Sequence, residues 1–295
     1  MTDTVASLRH QIAGASDLAS VVRTMKAMAA SSIGQYENAV RSLDEYARTV
    51  QLGLAACLRP VDAASLAAPA PDAPVGVVVF GADQGLVGQF NEVLLSHVRD
   101  TLGTLAGSAV VWAVGARIQA RLVDIGLSAG APFALPNGIG AVTPLVGRIL
   151  AALERSREAG RIGPVWLFHN RPQSGALFEP ACLRLLPLDA TWQRQWAQTP
   201  WPGKNLPEVM LGRARTLPAF VREYLFISLF RACAASLASE NASRLAAMQR
   251  AEKNIGELLE RLQRRYHRLR QSGIDAELFD VVAGFEALSA TRDAR

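Results

Sequence analysis

The chain has 295 residues, half of them hydrophobic, with 31 Lys and Arg against 26 Asp and Glu for a net charge of +5. That composition excludes a largely disordered chain and suffices for one large domain or two modest ones. The mild positive charge permits an acidic partner without calling for nucleic acid, and charged residues interrupt every apolar run well short of a membrane span. The first residues show no charged segment followed by an apolar one, so no signal peptide is expected, and the chain reads as intracellular and soluble or peripheral to something larger. Cys57, Cys182 and Cys233 are scattered without CxxC spacing, which suits a reducing compartment and argues against a zinc site or a disulfide framework.

All fifteen prolines lie between Pro60 and Pro218, so both flanks are free to form uninterrupted helix. From Leu8 to Leu54, seam residues recur in strict steps of four and three, with one polar break at Lys26. A helix over roughly 4–58 would be about 80 Å long, too long for a compact domain. Residues 60–74 (PVDAASLAAPAPDAP) are rich in Ala and Pro and read as a linker.

Strands and helices then alternate. Val75–Phe80 reads as a buried strand, Glu92–Leu105 as a helix, Val110–Val114 as a strand and Ala116–Ile125 as a helix. Pro144–Glu158 reads as a helix and Val165–His169 as a strand, with Leu183–Leu186 adding a further strand. The alternation predicts a Rossmann-like parallel α/β domain over 75–190. Residues 191–218 form a connection whose Trp192, Trp196 and Trp201 are expected to pack at the base of the helices.

Between the first strand and its helix lies GADQGLVGQFN, residues 81–91. Glycines after a strand raise the question of a nucleotide phosphate. The spacing of Gly81, Gly85 and Gly88 fits neither G-x-G-x-x-G nor G-x4-G-K-[ST]. No Lys or Arg occurs between Gly76 and Leu95, and no acid follows the second strand to hold a ribose. A tight structural turn is the favoured reading, with Asp83 capping the turn and Asn91 the helix. The four histidines are isolated from one another, Ser174 lacks the glycines of a nucleophile elbow, and no paired carboxylates stand out. No catalytic, cofactor-binding or metal-binding residue is assigned.

The C-terminal segment, 219–295, carries a second seam from Leu245 to Leu269 that includes Glu252. A helix from about 219 to 291 would be roughly 110 Å long. The expected fold is α/β plus a long antiparallel coiled coil: N- and C-terminal helices wound together, with the α/β domain inserted at one end. The C-terminal helix is the longer, so residues 272–291 would project without a partner from their own chain. That tip is apolar and calls for one from another. Arg261, Arg264, Arg265, Arg268 and Arg270 crowd the helix just before it. They read either as a solvated face or as a surface for an acidic partner.

Several motifs resemble the gamma subunit of F-type ATP synthases. Ser239-Glu240-Asn241-Ala242-Ser243-Arg244 with Met248, Ala251 and Asn254 is similar to that family's S-E-x-A-x-R-x-x-A-M-x-x-A-x-x-N. Arg270-Gln271, Ile274, Glu277-Leu278 and Gly284 resemble its R-Q-x-x-I-T-x-E-[IL] tip. Arg23, Met25-Lys26 and Ala29-Ala30-Ser31 match K-x-M-K-x-x-A-A-S. Asp83, Gly85-Leu86, Gly88 and Phe90-Asn91 match D-R-G-L-C-G-x-[FL]-N, and Leu185-Leu186-Pro187-Leu188 matches L-L-P-L. The resemblance spans roughly residues 5–288.

The resemblance implies a non-catalytic rotor, without cofactor or metal, that couples ion flow through a membrane ring to ATP synthesis or hydrolysis. Implied partners are the alpha and beta subunits of the catalytic hexamer, the epsilon subunit and the c-subunit ring. The implied place is peripheral, on the cytoplasmic face of the bacterial plasma membrane. Partner contacts are expected at Arg23, Met25, Lys26, the arginines at 261, 264, 265, 268 and 270, and Gln271, Ile274, Glu277, Leu278, Val281 and Val282. Structural roles are expected for Asp83, Gly85, Gly88, Asn91, Glu240, Arg244 and Met248. The sequence departs from the family at Gln84 and Val87 (Arg and Cys), at Asp275-Ala276 (Thr-Gln) and at Asp17-Leu18-Ala19 (Asn-Thr-Gln). Such departures suggest a divergent branch, an alternative N-type enzyme using Na⁺ in place of H⁺, although the membrane ring sets the ion. Against the rotor stand two other readings: a nucleotide-binding α/β enzyme and a coiled-coil scaffold.

Overall fold

The structure is a computed structural model that describes residues 4–58, 73–105, 107–127, 130–173, 176–188, 190–205, 207–210 and 212–293. Side chains at 176, 190, 191, 195 and 285–293 fall outside that description. The expected linker at 60–74 lies almost wholly outside the described residues, and Ser174 lies outside them too. Contacts divide the chain into two units, Ala29–Leu245 and Met1–Met28 with Ala246–Arg295.

The larger unit is built on a four-stranded sheet in the order β2-β1-β3-β4. The strands are β1 (Val75–Phe80), β2 (Ala109–Val114), β3 (Val165–Gln173) and β4 (Ala176–Leu186). β1 pairs in parallel with both β2 and β3, but β4 runs antiparallel to β3. The sheet is therefore mixed, not parallel throughout. β3 ends at Gln173 and β4 begins at Ala176, a gap too short for the crossover that a parallel pair needs. β4 also starts seven residues before the expected Leu183, and Pro180 within it suits an edge strand, where no ladder N–H is missed.

Every residue of β1 is buried, because both faces of the sheet are covered. Val75, Val77 and Val79 face α3 (Phe90–Gly103) and α4 (Ala116–Asp124), against Leu94, Val98, Ile118 and Leu122. Val78 and Phe80 face the opposite layer, with α5 (Val142–Glu158) and residues Leu225–Ala238 of α7 (Arg213–Asp293). Each fully buried Val or Phe contributes about 1.5–3 kcal/mol, so this central strand anchors the unit.

The N-terminal flank is two helices rather than one: α1 (Val5–Ser42) and α2 (Asp44–Leu58). At Leu43 the N–H bonds to the Val40 carbonyl, 3.2 Å, tightening the turn. Asp44 and Glu45 then open α2, where carboxylates favour the positive helix end, and Asp44 binds Arg231 of α7. The C-terminal helix α7 (Arg213–Asp293) starts six residues before the expected Ala219, with Pro218 inside its opening turns. The missing bond there is offset by packing. Leu217 is buried and Phe220 lies against α2, so close to Gly53 that a Cβ there would stand 2.3 Å from its ring. Trp192 and Trp196, on the short helix α6 (Ala190–Ala197), stack with Tyr224 in this same cluster, whereas Trp201 is not part of it.

In the smaller unit, the start of α1 packs antiparallel on α7. Leu8, Ile12 and Ala15 cluster with Leu259, Leu262, Tyr266 and Leu269. Arg9 Nη2 donates to the Tyr266 hydroxyl at 3.0 Å, and Lys26 Nζ lies 2.6 Å from Glu252 Oε2. Partners thus advance along α1 as they retreat along α7. From 270 to 284 every described side chain of α7 is exposed.

Candidate functional site

The glycine stretch sits where an α/β sheet of this order would hold a ligand. β1 is flanked by β2 and β3, and its carboxyl end is the switch point of the topology. Gly81 has no room for a side chain: a Cβ would stand 2.3 Å from Ile118 Cβ on α4. Gly88 takes φ +60° and Leu86 takes φ +62°, a left-handed value that a leucine adopts at a cost. The expected caps fall elsewhere. Asp83 Oδ1 accepts from the Ala116 N–H at 2.6 Å and so caps α4 rather than its own turn. Asn91 lies inside α3, and its Oδ1 reaches back to accept from the Ala82 N–H at 2.9 Å. Gly85 has no positive φ; a Cβ there would meet only the guanidinium of Arg117, at 3.3 Å.

Arg117 supplies a cation beside the loop, and it comes from the next βα turn rather than from the stretch between Gly76 and Leu95. It does not make a phosphate cradle. α7 closes the loop from the other side: Ser236 Oγ donates to the Phe80 carbonyl at 3.0 Å and Ser243 Oγ to the Val87 carbonyl at 2.5 Å. Between them lies Glu240, 5% exposed, which accepts from Arg244 Nη2 at 2.6 Å. Burial pushes the Glu240 carboxyl up, Arg244 pulls it back, and the Asp83 carboxylate raises it again. The Asp83 carboxylate lies near enough to act on Glu240, and two carboxylates near the loop make an unfavourable setting for a phosphate. The serines at 236 and 243 and Glu240 share one helical face, so the S-E-x-A-x-R block and the glycine loop form one interlocked contact. Tyr36 of α1, buried and raised above the usual phenol range by its burial, by Cys233 and by Glu240, joins them. Met248 is buried on the same helix, in the smaller unit.

Other polar residues stand apart. His97 stacks edge-on to Phe168, and His267 on Tyr266. His169 is lowered to about 4, first by burial and then by Arg171, and its Nδ1 has no partner among the described residues. Among the described residues no three His, Cys, Asp or Glu side chains gather as metal ligands, and no helix is long and apolar enough to cross a membrane.

In the smaller unit the arginines at 261, 264, 265, 268 and 270 are all exposed, with Arg264 near Glu260 at 3.7 Å. Beyond them Gln271 and Glu277 are exposed, as are Ile274 (54%), Leu278 (60%), Phe279 (72%), Val281 (70%) and Val282 (46%). Side chains at 285–291, the end of the expected tip, lie outside the description. Arg23 is exposed and Met25 half-buried. Lys26 is matched within the chain by Glu252.

A family model described as ATP synthase matches residues 4–288. The chain belongs to the ATP synthase gamma family. It is 29% identical to the ATP synthase gamma chain of Gluconobacter oxydans, over 95% of this chain and 98% of that one. It is 30% identical to that of Stenotrophomonas maltophilia, over 72% of this chain and 74% of the relative. Its fold is similar to a chain of the Euglena gracilis mitochondrial ATP synthase (OSCP/F1/c-ring), with TM-score 0.65, 15% identity and coverage of 98% and 95%. A chain of the Tetrahymena thermophila mitochondrial ATP synthase central stalk and c-ring matches with TM-score 0.54, 17% identity and coverage of 78% and 99%. In this gamma-family chain, the α/β unit and α7 interlock where a Rossmann-like domain would receive a nucleotide.

Proposed function

We propose that this chain turns as the central shaft of an F-type ATP synthase, transmitting torque between a membrane ring and a catalytic alpha/beta hexamer. It is a non-catalytic subunit; ATP chemistry belongs to other subunits of the complex. The observation that carries this reading is the α7 tip, where Ile274, Leu278, Phe279, Val281 and Val282 are exposed with no cover from α1. An apolar helix end of this kind needs a surrounding partner, and a bearing formed by the hexamer supplies one. The finer reading is that the arginines at 261–270 face acidic surfaces of the catalytic subunits, together with Arg23, Met25 and Gln271. The α/β unit then meets the c-ring and epsilon, on the cytoplasmic face of a bacterial membrane.

Co-purification tests the shaft. The full chain is expected to elute with a hexameric ATPase, and the chain lacking residues 272–295 to lose coupling or assembly. A full chain that stays monomeric beside the hexamer, or a truncation without effect on ATP hydrolysis, overturns the reading. Titration of ATP or NAD into the chain is expected to give no heat.

A further inference from the structure

Two buried side-chain amides at the carboxyl end of the sheet are each bonded on one side only. Asn91, 1% exposed, stands in the first turn of α3, and Asn170, fully buried, lies on β3. Asn91 Oδ1 accepts from the Ala82 N–H at 2.9 Å, and Asn170 Nδ2 donates to the Phe90 carbonyl at 3.0 Å. These bonds fix which way each amide points. Turned about, Asn91 would set a donor against a donor, and Asn170 an acceptor against an acceptor. One group of each kind is left over. Asn91 Nδ2 has hydrogens to give, Asn170 Oδ1 has a lone pair to fill, and neither has a partner among the described residues.

The two leftover groups belong to one place. Asn170 reaches the carbonyl of Phe90, and Asn91 is the residue that follows Phe90 in α3. The Phe90 side chain clusters with Ala82 and Val87 of the glycine loop, and its ring lies edge-on to Phe178 of β4, with centroids 5.2 Å apart. Phe178 stands two residues from Pro180, the partner of Asn170 across the ladder, and so on the same face of β4. This apolar cover keeps bulk water away from both amides.

We infer that a single water molecule is held between Asn91 Nδ2 and Asn170 Oδ1, as a fixed part of the fold at the switch point of the sheet. A donor on one side and an acceptor on the other do not suit a simple ion. A hard metal cation takes oxygen ligands from both sides, and an anion takes N–H groups from both. Water accepts from one and donates to the other, and buried waters occupy positions between otherwise unpaired polar groups. A direct bond between the amides would also satisfy them, but neither is bonded to the other. The bridge ties α3 to β3 and steadies Asn91, the side chain that anchors the glycine loop through the Ala82 N–H. Where an α/β sheet would receive a nucleotide, this chain holds solvent as part of its own packing. That assignment holds whether or not the chain turns as a shaft.

The test uses the full chain. In a crystal structure that resolves ordered solvent, one water is expected within about 3.2 Å of both atoms. In solution, with isotope-labelled asparagine, magnetic cross-relaxation is expected between a long-lived water and the Asn91 side-chain amide. Asn170→Leu removes the acceptor, so the Asn91 signal to water is expected to vanish. The Ala82 N–H, still bonded to Asn91 Oδ1, is expected to stay protected from exchange and so to report a folded loop. A wild-type crystal with no water there, or with the two amides bonded directly, overturns the inference. A cross-relaxation signal that survives in the leucine variant overturns it too, because the water would then not be shared. Should that variant lose the Ala82 protection and fail to fold, the wild-type density decides alone.

Discussion

His169 shows how one half-buried side chain ties the α/β unit to pH. It sits on β3 beside Phe80, enclosed enough that its pKa falls from 6.5 to about 4. An unfolded chain takes up a proton near pH 6.5 that the folded chain refuses until about 4. Stability is therefore intact above pH 6.5 and lost as pH falls through that window, by up to about 3 kcal/mol. His169→Gln removes the titration. Thermal midpoints measured from pH 7.5 to 4.5 are expected to fall less in the variant, and parallel profiles would refute the assignment. Glu240 acts in the opposite sense: its raised pKa makes the folded state favour the proton, so its contribution weakens as pH rises past the ordinary carboxylate range. Neither shift is legible in the sequence. His169 is one of four isolated histidines in the sequence, and its enclosure is set by tertiary packing around β3.

Among elements, the strands and helices of the α/β unit follow from patterns that need no tertiary information: apolar runs of six, and helices of period near 3.6. Discrepancies arise where tertiary contacts override local rules. Pro218 signals a helix start, yet α7 begins at Arg213 because Leu217 and Phe220 pack on α2. The absence of proline signals one N-terminal helix, yet the Asp44–Arg231 pair accompanies a break at Leu43. The glycine loop was recognisable as a turn, but its partners were not, because Ser236 and Ser243 lie more than 150 positions away. The three glycines in the loop are also unequal. Gly81→Ala drives a methyl group into Ile118 at 2.3 Å, where neither backbone can withdraw easily. A loss of about 1–3 kcal/mol is expected. Gly85→Ala meets only the mobile end of Arg117 and is expected to stay within about 0.5 kcal/mol of wild type. Urea denaturation of both variants tests the contrast, and equal losses would show that the loop does not pack as described.

For the whole molecule, two kinds of surface on α7 divide the work of meeting partners, and they differ in how they respond to salt. The apolar side chains from Ile274 to Val282 gain from leaving water, which salt does not weaken. The exposed arginines before them act through a field that salt screens: the Debye length is about 10 Å at 0.1 M and about 3 Å at 1 M. Arg261 and Arg268 lie two turns apart on one exposed face. Reversing both to Glu disturbs no buried contact, so the chain's melting is expected to change little. If the face steers the shaft toward acidic subunits, association with the hexamer at low salt slows by about tenfold or more and the deficit closes as salt approaches 1 M. Deleting the tip instead shortens the lifetime of the complex at every salt concentration, because apolar contacts govern dissociation. A reversal that leaves the low-salt rate unchanged makes the arginines a solvated face, the alternative that their spacing alone could not separate from an acidic docking surface.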